Sequence, residues 1–322
     1  MASAKPDEVR DGVPLTNLDQ PLFEGSDATK RDLIDYLDGI ADRLVPVLAD
    51  RPLSVMRAHA HEAPFMQKNL PRYAPEWIAR VTYWAETSKR NVAYALCNDK
   101  RTLLWFGNQR AVEYHPALVR GSEEGITHIV LDLDPTEAGG FRDAVRAAHL
   151  VRATLDDLGL VAAVKTSGAK GMHIFVPVIP STTVDDAASA TRAIAERAAA
   201  LDPSIATTAF VKDERGGKVF IDATRGGGGA TVVAAYSPRL RAGAPVSWPC
   251  TWDDLDQINP ADFTIRNALE RLDGADPWAN NHPAPQALPQ DLVDEGSAIS
   301  GGRVQAMHEG LRRARARRKD EQ

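Results

Sequence analysis

Three segments of the chain carry apolar residues at the three- and four-residue spacing of an amphipathic helix. They are residues 30–50, 141–159 and 183–202. Thr29 comes directly before the first segment, and threonine is a favoured N-cap residue, so a helix is expected to begin at residue 30. The second segment ends at Gly159, because glycine readily takes the left-handed conformation that closes many helices. The pattern therefore predicts three long helices.

Short apolar runs rich in β-branched and aromatic residues lie between these helices and predict strands. The predicted strands cover residues 51–58, 81–86, 92–97, 126–134, 161–168, 172–178, 218–223 and 230–236. The first 30 residues predict an extended arm, and residues 103–119 a short helix followed by a loop. Because helices and strands do not alternate strictly, we predict an α/β (α+β) fold with mixed central β-sheets flanked by helices.

The end of the chain differs in composition from the rest. From about Asp276 onward proline, glycine, asparagine and serine dominate, and a short helix is expected within residues 302–318. We predict one α/β domain over residues 1–275, and a linker with a basic helix or tail over residues 276–322. The tail carries a cluster of cations, namely Arg312, Arg313, Arg315, Arg317, Arg318 and Lys319. A solvated helix end and a nucleic-acid contact both explain such a cluster.

Composition narrows the class of protein. The 322 residues are 43% hydrophobic and 25% charged, which is ordinary for a globular chain. Cys97 and Cys250 give neither a disulfide framework nor the ligand spacing of a zinc site. The first residues lack the pattern of a signal peptide, and no apolar run approaches the roughly 18 residues of a membrane span. We therefore expect a cytoplasmic protein without membrane contact.

The formal net charge of −6 sets a further limit. It argues against a protein that coats nucleic acid through its overall charge. A local basic groove remains compatible with it, because polyanion binding depends on where lysine and arginine cluster.

Three carboxylates stand at the ends of predicted strands. Asp132 and Asp134 flank Leu133, so their side chains are expected on the same side of one strand, where like charges repel. Asp222 ends another apolar strand. An aspartate at a strand end is by itself most often a turn former, but three together supply the hard oxygen ligands that Mg²⁺ or Mn²⁺ prefers. Two such ions stabilise the attacking and leaving oxygens of a phosphoryl transfer.

The segment KTSGAKGMHIFVP places a glycine turn between two predicted strands. Its chemistry-bearing residues are Ser167, Gly168, Lys170 and His173. Backbone N–H groups of such a turn and a lysine charge suit phosphate oxygens. A plain hairpin and a core histidine are the ordinary interpretations of each feature alone. Together with the carboxylates, the segment predicts a metal-dependent nucleotide site.

Several longer motifs carry a family resemblance. They are MQKN after Phe65, EYHP around His115, VLDLDP, KTSGAKGMHIFVP, RGGKVFID and VAAYSPRLRAGAPVSWPCTW. In this order they resemble the polymerase domain of bacterial ligase D, a member of the archaeo-eukaryotic primase superfamily, from Thr16 to about Trp252. Since no ligase or nuclease segment accompanies them, the chain is expected to resemble the free-standing actinobacterial paralogues. The resemblance implies a primase-like fold.

The resemblance also implies roles for individual residues. Asp132, Asp134 and Asp222 match the catalytic triad that binds two Mn²⁺ or Mg²⁺ ions, one carboxylate also assisting deprotonation of the primer 3′-hydroxyl. The positions that match nucleotide-binding residues are His115 near the sugar and Ser167, Gly168, Lys170, His173, Arg239 and Arg241 at the phosphates. The positions that match DNA contacts are Asn17, Lys30, Phe65 and Lys68.

By the same resemblance, the chain is a DNA-directed nucleotidyltransferase that extends primers and fills gaps, with primase-like character. It is expected to accept ribonucleotides as well as deoxyribonucleotides. Its expected setting is DNA repair such as non-homologous end joining, at the nucleoid in the bacterial cytoplasm. The expected partners are primer–template, gapped or broken DNA, NTPs and dNTPs, with Ku and a separate DNA ligase.

Four departures from the family pattern alter these expectations. Gln20 replaces a lysine that helps to bind a downstream 5′-phosphate, so dependence on that phosphate is expected to weaken. Met56 replaces a basic residue near the nucleotide, and Met66 replaces the second of two aromatic residues. Residues 224–229 read Thr-Arg followed by four glycines, where the family has a polar stretch.

Two other functions remain open on the sequence alone. The D-x-D-x-T pattern of Asp132, Asp134 and Thr136 resembles the nucleophile motif of haloacid-dehalogenase-like phosphatases. That chemistry also needs a later acidic pair, for which residues 185–186 and 253–254 are the candidates. The other alternative is a DNA-end binding module without catalytic activity.

Overall fold

The computed structural model describes residues 6–23, 25–58, 63–85, 89–121, 125–226 and 230–299. Its strands are β1 Glu8–Arg10, β2 Val13–Leu15, β3 Leu53–Arg57, β4 Phe65–Gln67, β5 Arg80–Ala85, β6 Arg90–Ala95, β7 Ala111–Pro116, β8 His128–Asp134, β9 Ala163–Thr166, β10 Met172–Pro177, β11 Ala206–Thr207, β12 Val219–Asp222 and β13 Pro249–Cys250. Its α-helices are α1 Lys30–Leu48, α2 Lys100–Asn108, α3 Gly140–Asp157, α4 Val184–Leu201, α5 Ala268–Leu272, α6 Pro277–Asn281 and α7 Gln290–Ala298.

Two sheets of unequal character form the body. The larger sheet has six strands in the order β11-β12-β8-β10-β9-β13, and every neighbouring pair except β11 and β12 is antiparallel. Helices α3 and α4 pack against each other and against this sheet. The other sheet has the order β4-β3-β6-β5, with β7 also paired to β3. Mixed sheets flanked by helices confirm the predicted fold class.

The long helices begin and end for local reasons that the sequence carries. Thr29 and Asp32 form a capping box, in which each side chain accepts a hydrogen bond from the other residue's backbone N–H. Helix α1 buries an apolar face that includes Leu33, Leu37 and Leu44, as the spacing predicts. Gly159 follows α3 with a φ of +66°, the left-handed conformation expected of a residue that closes a helix.

Strand β8 lies at the centre of the larger sheet, and its apolar residues are fully buried. Ile129, Val130, Leu131 and Leu133 are all 0% exposed, because neighbouring strands cover both edges and other layers cover both faces. Burial on both faces explains why an apolar run, and not an alternating one, precedes the two aspartates. The strand thus delivers its carboxyl end to a fixed position.

Three predicted elements differ in the structure. Residues 111–116, predicted as loop, form β7, because pairing with β3 buries a segment whose polar residues hid its strand pattern. Residues 230–236, predicted as a strand, contribute only an isolated bridge from Thr231 to Ala117. The predicted arm at the N-terminus folds back as the hairpin β1–β2.

The segment after residue 275 packs on the body over the part that is described. Leu292 of α7 is 0% exposed, and α7 lies so close to α4 that a Cβ on Gly296 would come 1.8 Å from the Ser189 carbonyl oxygen. The boundary at residue 275 stays a prediction. The predicted helix at 302–318 and the basic tail lie outside the described residues. Within the described part, no helix is long and apolar enough to cross a membrane.

Candidate active site

The strand register brings two of the three predicted carboxylates opposite each other. Asp132 on β8 pairs with Asp222 on β12, on one side, and with His173 on β10, on the other. Asp132 and Asp222 are 9% and 5% exposed, and Asp134 at the end of β8 is half-buried. Antiparallel pairing therefore joins residues that are 90 positions apart in the sequence (222 − 132).

A guanidinium group contacts both buried carboxylates. Arg225 Nη2 lies 3.3 Å from Asp132 Oδ2, and Arg225 Nε lies 3.5 Å from Asp222 Oδ2. The backbone N–H of Thr224 donates to Asp222 Oδ1 at 2.8 Å, which fixes the turn that carries the arginine. Repulsion between Asp132 and Asp222 is thus offset by a cation from the segment in which this chain departs from the family pattern.

The protonation of the two aspartates on β8 differs. Burial would raise the pKa of Asp132, but His173, Arg225 and Lys165 outweigh it and lower that pKa to about 2. Burial and the negative charges of Asp132 and Asp222 raise the pKa of Asp134 above its usual value. The site therefore holds a firmly ionised carboxylate beside one that is easier to protonate.

Lys165 on β9 is paired with His173 on the neighbouring strand β10, and its side chain is completely buried. Its Nζ is 2.7 Å from His173 Nδ1 and 2.6 Å from Ser247 Oγ, while His173 Nε2 is 3.3 Å from Asp132 Oδ1. Burial and the Lys165 charge lower the pKa of His173 to about 4, and burial and Arg239 lower the pKa of Lys165 well below its usual value. Sequence reasoning missed Lys165, although a charged residue within an apolar strand was a visible signal.

The glycine turn after β9 depends on a left-handed residue. Gly168 has a φ of +69°, and a Cβ there would lie 2.6 Å from Arg239 Cγ, so only glycine fits. Ser167 Oγ accepts hydrogen bonds from the N–H groups of Ala169 and Gly171, both at 3.2 Å. Arg239 Nη1 donates to the Ser167 carbonyl oxygen, which ties the predicted phosphate-binding arginine to this turn.

Two further predicted phosphate-binding residues meet at an exposed carboxylate. Lys170 Nζ donates to Glu137, and this contact, with the nearby charge of Arg241, lowers the pKa of Glu137. Lys170 is therefore paired with Glu137, and Arg241 lies close enough for its charge to act on the same carboxylate. A bound triphosphate would have to replace Glu137 as the partner of Lys170.

A buried carboxylate joins the predicted sugar-binding histidine to Arg239. Glu113 Oε2 is 2.9 Å from His115 Nε2, and Glu113 Oε1 is 3.2 Å from Arg239 Nε. Arg239 Nε makes no hydrogen bond within the described residues, so charge alone joins it to Glu113. Sequence reasoning missed Glu113, although its position two residues before His115 on a strand places both side chains on one face.

The four residues predicted to contact DNA differ in their exposure to solvent. Phe65 is 43% exposed on β4 with the Arg57 guanidinium 5.6 Å from its ring centre, and Lys68 and Asn17 are exposed. Lys30 is only 2% exposed; its Nζ donates to the Thr16 carbonyl oxygen and to Asn108 Oδ1 at 2.5 and 2.7 Å. Burial lowers the pKa of Lys30 to about 8.

The chemistry of the donor set fits a hard divalent cation. Across the described ranges, no three Asp, Glu, His or Cys side chains converge into a ready metal cage. Asp132 and Asp222 nevertheless share the guanidinium of Arg225, so the pair already accommodates positive charge. With Asp134 at the end of the same strand, the three carboxylates would hold Mn²⁺ or Mg²⁺ once Arg225 moves aside.

Comparison with known families decides which family the chain belongs to. A family model described as "LigD, primase-polymerase domain" matches residues 29–278. The chain belongs to this family. Membership makes it a DNA-directed nucleotidyltransferase of the primase-polymerase type and confirms the resemblance carried by the motifs.

Individual relatives agree with the family. The multifunctional non-homologous end joining protein LigD of Mycolicibacterium smegmatis is 34% identical over 269 residues, which cover 81% of this chain and 35% of that protein. The bifunctional LigD of Bacillus subtilis is 32% identical over 264 residues, covering 81% of this chain and 42% of that protein. The chain thus spans well under half the length of these relatives.

A solved structure supports the fold. The polymerase domain of Mycobacterium tuberculosis ligase D in complex with DNA superposes with a TM-score of 0.77 at 30% identity. The match covers 84% of this chain and 99% of that domain. This agreement confirms the predicted fold of a LigD polymerase domain.

The phosphatase alternative is not favoured. The family match includes the D-x-D-x-T pattern within a different fold. The acidic pairs that a phosphatase would need make local contacts: Asp186 accepts from Thr183 Oγ1, and Asp254 accepts from Thr251 Oγ1. A module without catalytic activity is not favoured either, because this LigD primase-polymerase domain retains all three carboxylates.

Proposed function

We propose that this LigD primase-polymerase domain extends a primer strand on template DNA by metal-dependent nucleotidyl transfer. The observation that carries the proposal is the register of Asp132 against Asp222, with the glycine turn after β9 bonded to Arg239 nearby. Carboxylates close to a glycine turn with its arginine suit a nucleoside triphosphate with its metal ions.

In the proposed reaction the primer 3′-hydroxyl attacks the α-phosphate of the incoming nucleotide, and pyrophosphate leaves. Two Mn²⁺ or Mg²⁺ ions bound by Asp132, Asp134 and Asp222 would neutralise the charge that develops there. Lys170, Arg239 and Arg241 bind the triphosphate, and the turn at Gly168 carries Lys170 and is bonded to Arg239. His115 contacts the sugar. Positioning and charge neutralisation are the contribution of the protein.

The relatives' names extend the proposal to repair. Because the curated relatives are non-homologous end joining proteins, we propose that this chain fills gaps at broken DNA ends, accepting ribonucleotides as well as deoxyribonucleotides. Its proposed partners are broken or gapped DNA, Ku and a separate ligase, in the bacterial cytoplasm at the nucleoid. Phe65, Lys68 and Asn17 are the proposed contacts to DNA.

A primer-extension assay tests the catalytic proposal. The wild-type chain is incubated with a labelled primer–template, Mn²⁺ or Mg²⁺, and either dNTPs or rNTPs. Extension by the wild type, lost in Asp132→Ala and Asp134→Ala, is expected. No extension by the wild type under any of these conditions, or undiminished extension by both variants, would contradict it. Release of phosphate from a phosphomonoester, abolished by Asp132→Asn, would favour the phosphatase instead.

A binding measurement tests the proposed role of gapped DNA. We expect gapped DNA with and without a downstream 5′-phosphate to bind with similar affinity, because Gln20 lacks the charge of the family's lysine and Lys30 is buried. A strong preference for the 5′-phosphate that Lys30→Met abolishes would overturn this expectation and support Lys30 as a phosphate contact. Gln20→Lys is the complementary variant and should create the preference.

A further inference from the structure

Glu113 lies between the groups proposed to hold the sugar and those proposed to hold the phosphates. It stands on β7, is 6% exposed, and its carboxylate has three partners. Oε2 meets His115 Nε2 at 2.9 Å; Oε1 accepts from the Leu240 N–H at 2.9 Å and pairs with Arg239 Nε at 3.2 Å. Each oxygen therefore has its own donor group, and the carboxylate is held in one orientation.

The partners of Glu113 fix where the hydrogen of His115 lies. Burial would raise the pKa of Glu113, but His115, Arg239 and the Leu240 N–H lower it to about 2, so the group is a carboxylate that only accepts. His115 must then carry its hydrogen on Nε2. Burial lowers the pKa of His115 despite Glu113, which favours the neutral ring. A neutral ring with the hydrogen on Nε2 has a lone pair on Nδ1.

The second ring nitrogen of His115 is the one left for a ligand. Among the described residues, Nδ1 of His115 has no hydrogen-bond partner, and 13% of the side chain remains exposed. An acceptor nitrogen pairs with a hydroxyl donor. On a nucleotide sugar, the 2′-hydroxyl is the donor that separates a ribonucleotide from a deoxyribonucleotide.

We propose that Glu113 is a positioning residue that holds His115 as a hydrogen-bond acceptor toward the sugar, and that this arrangement favours ribonucleotides over deoxyribonucleotides. The proposal rests on the proposed function of the site. A site arranged to bond a hydroxyl discriminates against the analogue that lacks it, because its own polar group is then left unpaired.

Replacing Glu113 by glutamine reverses the role of the histidine. The single amide oxygen is held at the Oε1 position by the Leu240 N–H, which donates to it, and by the positive charge of Arg239 at 3.2 Å. The amide NH₂ group then faces His115 Nε2, which must accept, so the hydrogen moves to Nδ1. His115 would present a donor to the sugar in place of an acceptor, with almost no change in shape.

The first test uses the chain without nucleotide. Nitrogen-15 NMR of the histidine rings reports which ring nitrogen carries hydrogen, and His115→Ala identifies the His115 signals. We expect the Nε2–H form in the wild type and the Nδ1–H form in Glu113→Gln. Glu295→Gln is the matched control. It removes a carboxylate of helix α7 that pairs with Arg197 of α4, and it should leave the position of the hydrogen on the His115 ring unchanged. A wild-type ring with hydrogen on Nδ1, or a Glu113→Gln ring still in the Nε2–H form, overturns the proposal.

The second test measures discrimination. Dissociation constants for ATP and dATP, and kcat/KM for both in primer extension, are compared among the wild type, Glu113→Gln, His115→Ala and the double variant. We expect Glu113→Gln to lower the preference for ATP at least fivefold, mainly through KM. In the His115→Ala background, Glu113→Gln should change the preference for ATP over dATP less than twofold, since the histidine transmits the effect.

Other results separate the possible roles of Glu113. If Glu113→Gln weakens ATP and dATP equally, it acts only by holding Arg239, and the proposed link to the sugar is wrong. If the preference falls equally with and without His115, the link through the ring is wrong. If the wild type binds nucleotides but extends no primer, the proposed function fails, whereas the ring measurement and the binding ratio still decide the role of Glu113.

Discussion

Two regions of this LigD primase-polymerase domain depart from the usual distribution of side chains, in opposite directions. At the ends of β8 and β12 the charged groups are inside: Asp132 is 9% and Asp222 5% exposed. Around β4 the apolar groups are outside: Phe65 is 43%, Met66 37% and Tyr73 64% exposed. Both arrangements cost free energy in the chain alone.

The difference indicates two kinds of partner. Buried charges persist where cations and hydrogen-bond donors compensate them, and at β8 and β12 these are Arg225, Lys165 and His173. Exposed aromatic groups beside cations such as Arg57 persist where a flat partner covers them, and unpaired bases are such a partner. The first region is suited to a small, highly charged ligand, and the second to a nucleic-acid strand.

The largest effect is expected from the buried carboxylates. Asp132→Asn removes one charge from the site but keeps its shape, so we expect primer extension to fall at least a thousandfold while the melting temperature stays near that of the wild type. Extension rates and thermal melting check this together. Asp143→Asn, on the outer side of α3, is the control and should retain extension. Extension within tenfold of the wild type would remove Asp132 from the catalytic set.

Lys30 is a buried charge at a position that the family resemblance predicts to contact DNA. Its folded pKa of about 8 lies below the ordinary 10.5, so between these values the unfolded chain binds more protons and stability rises with pH. We expect the unfolding free energy of the wild type, relative to Lys30→Met, to rise by roughly 2–3 kcal/mol from pH 8 to 10.5. Denaturant titrations at both pH values measure it, and a flat difference would mean that Lys30 is solvated.

Phe65→Ala tests the exposed region. Loss of base stacking should weaken binding of a single-stranded template by about 1–3 kcal/mol and leave the affinity for ATP unchanged. Fluorescence anisotropy with a labelled oligonucleotide gives the first value and calorimetry the second. Val9→Ala, another exposed apolar residue, is the control. Weakened ATP binding in Phe65→Ala would show that the two regions are not independent.

The smallest effect is expected at Arg225, which is 40% exposed and therefore screened by water. Arg225→Ala should lower the melting temperature of the metal-free chain slightly and tighten Mn²⁺ binding by a few-fold, because the ion no longer competes with a guanidinium. Calorimetric titration of Mn²⁺ without nucleotide measures this. Arg146→Ala, which breaks an ion pair on α3, should change neither metal affinity nor its pH dependence. Weaker Mn²⁺ binding in Arg225→Ala would contradict competition.

The sequence predicted most of the elements that place the candidate site. Apolar runs that end in aspartate mark β8 and β12 without ambiguity, because burial on both faces leaves no polar residue inside the run. The register that sets Asp132 against Asp222 could not be predicted, since nothing local specifies which strands pair. The residue roles themselves stay predictions until the variants are measured.

Local patterns could not show that the supporting residues are buried. Glu113 and Lys165 are charged residues whose burial depends on partners 127 and 82 positions away, Leu240 and Ser247. The same cause hid β7, since a strand with glutamate and histidine gains its apolar surroundings only after β3 pairs with it. Non-local pairing, and not propensity, decided these cases.

The contact of Arg225 with Asp132 and Asp222 has a consequence for how the chain is made in a cell. Many small metalloproteins fold only when their ion arrives, because metal binding supplies the free energy that folding needs. Here a side chain of the same polypeptide already supplies the missing positive charge. A newly synthesised chain can therefore reach its native fold during metal starvation and wait, intact and inactive, until metal ions become abundant.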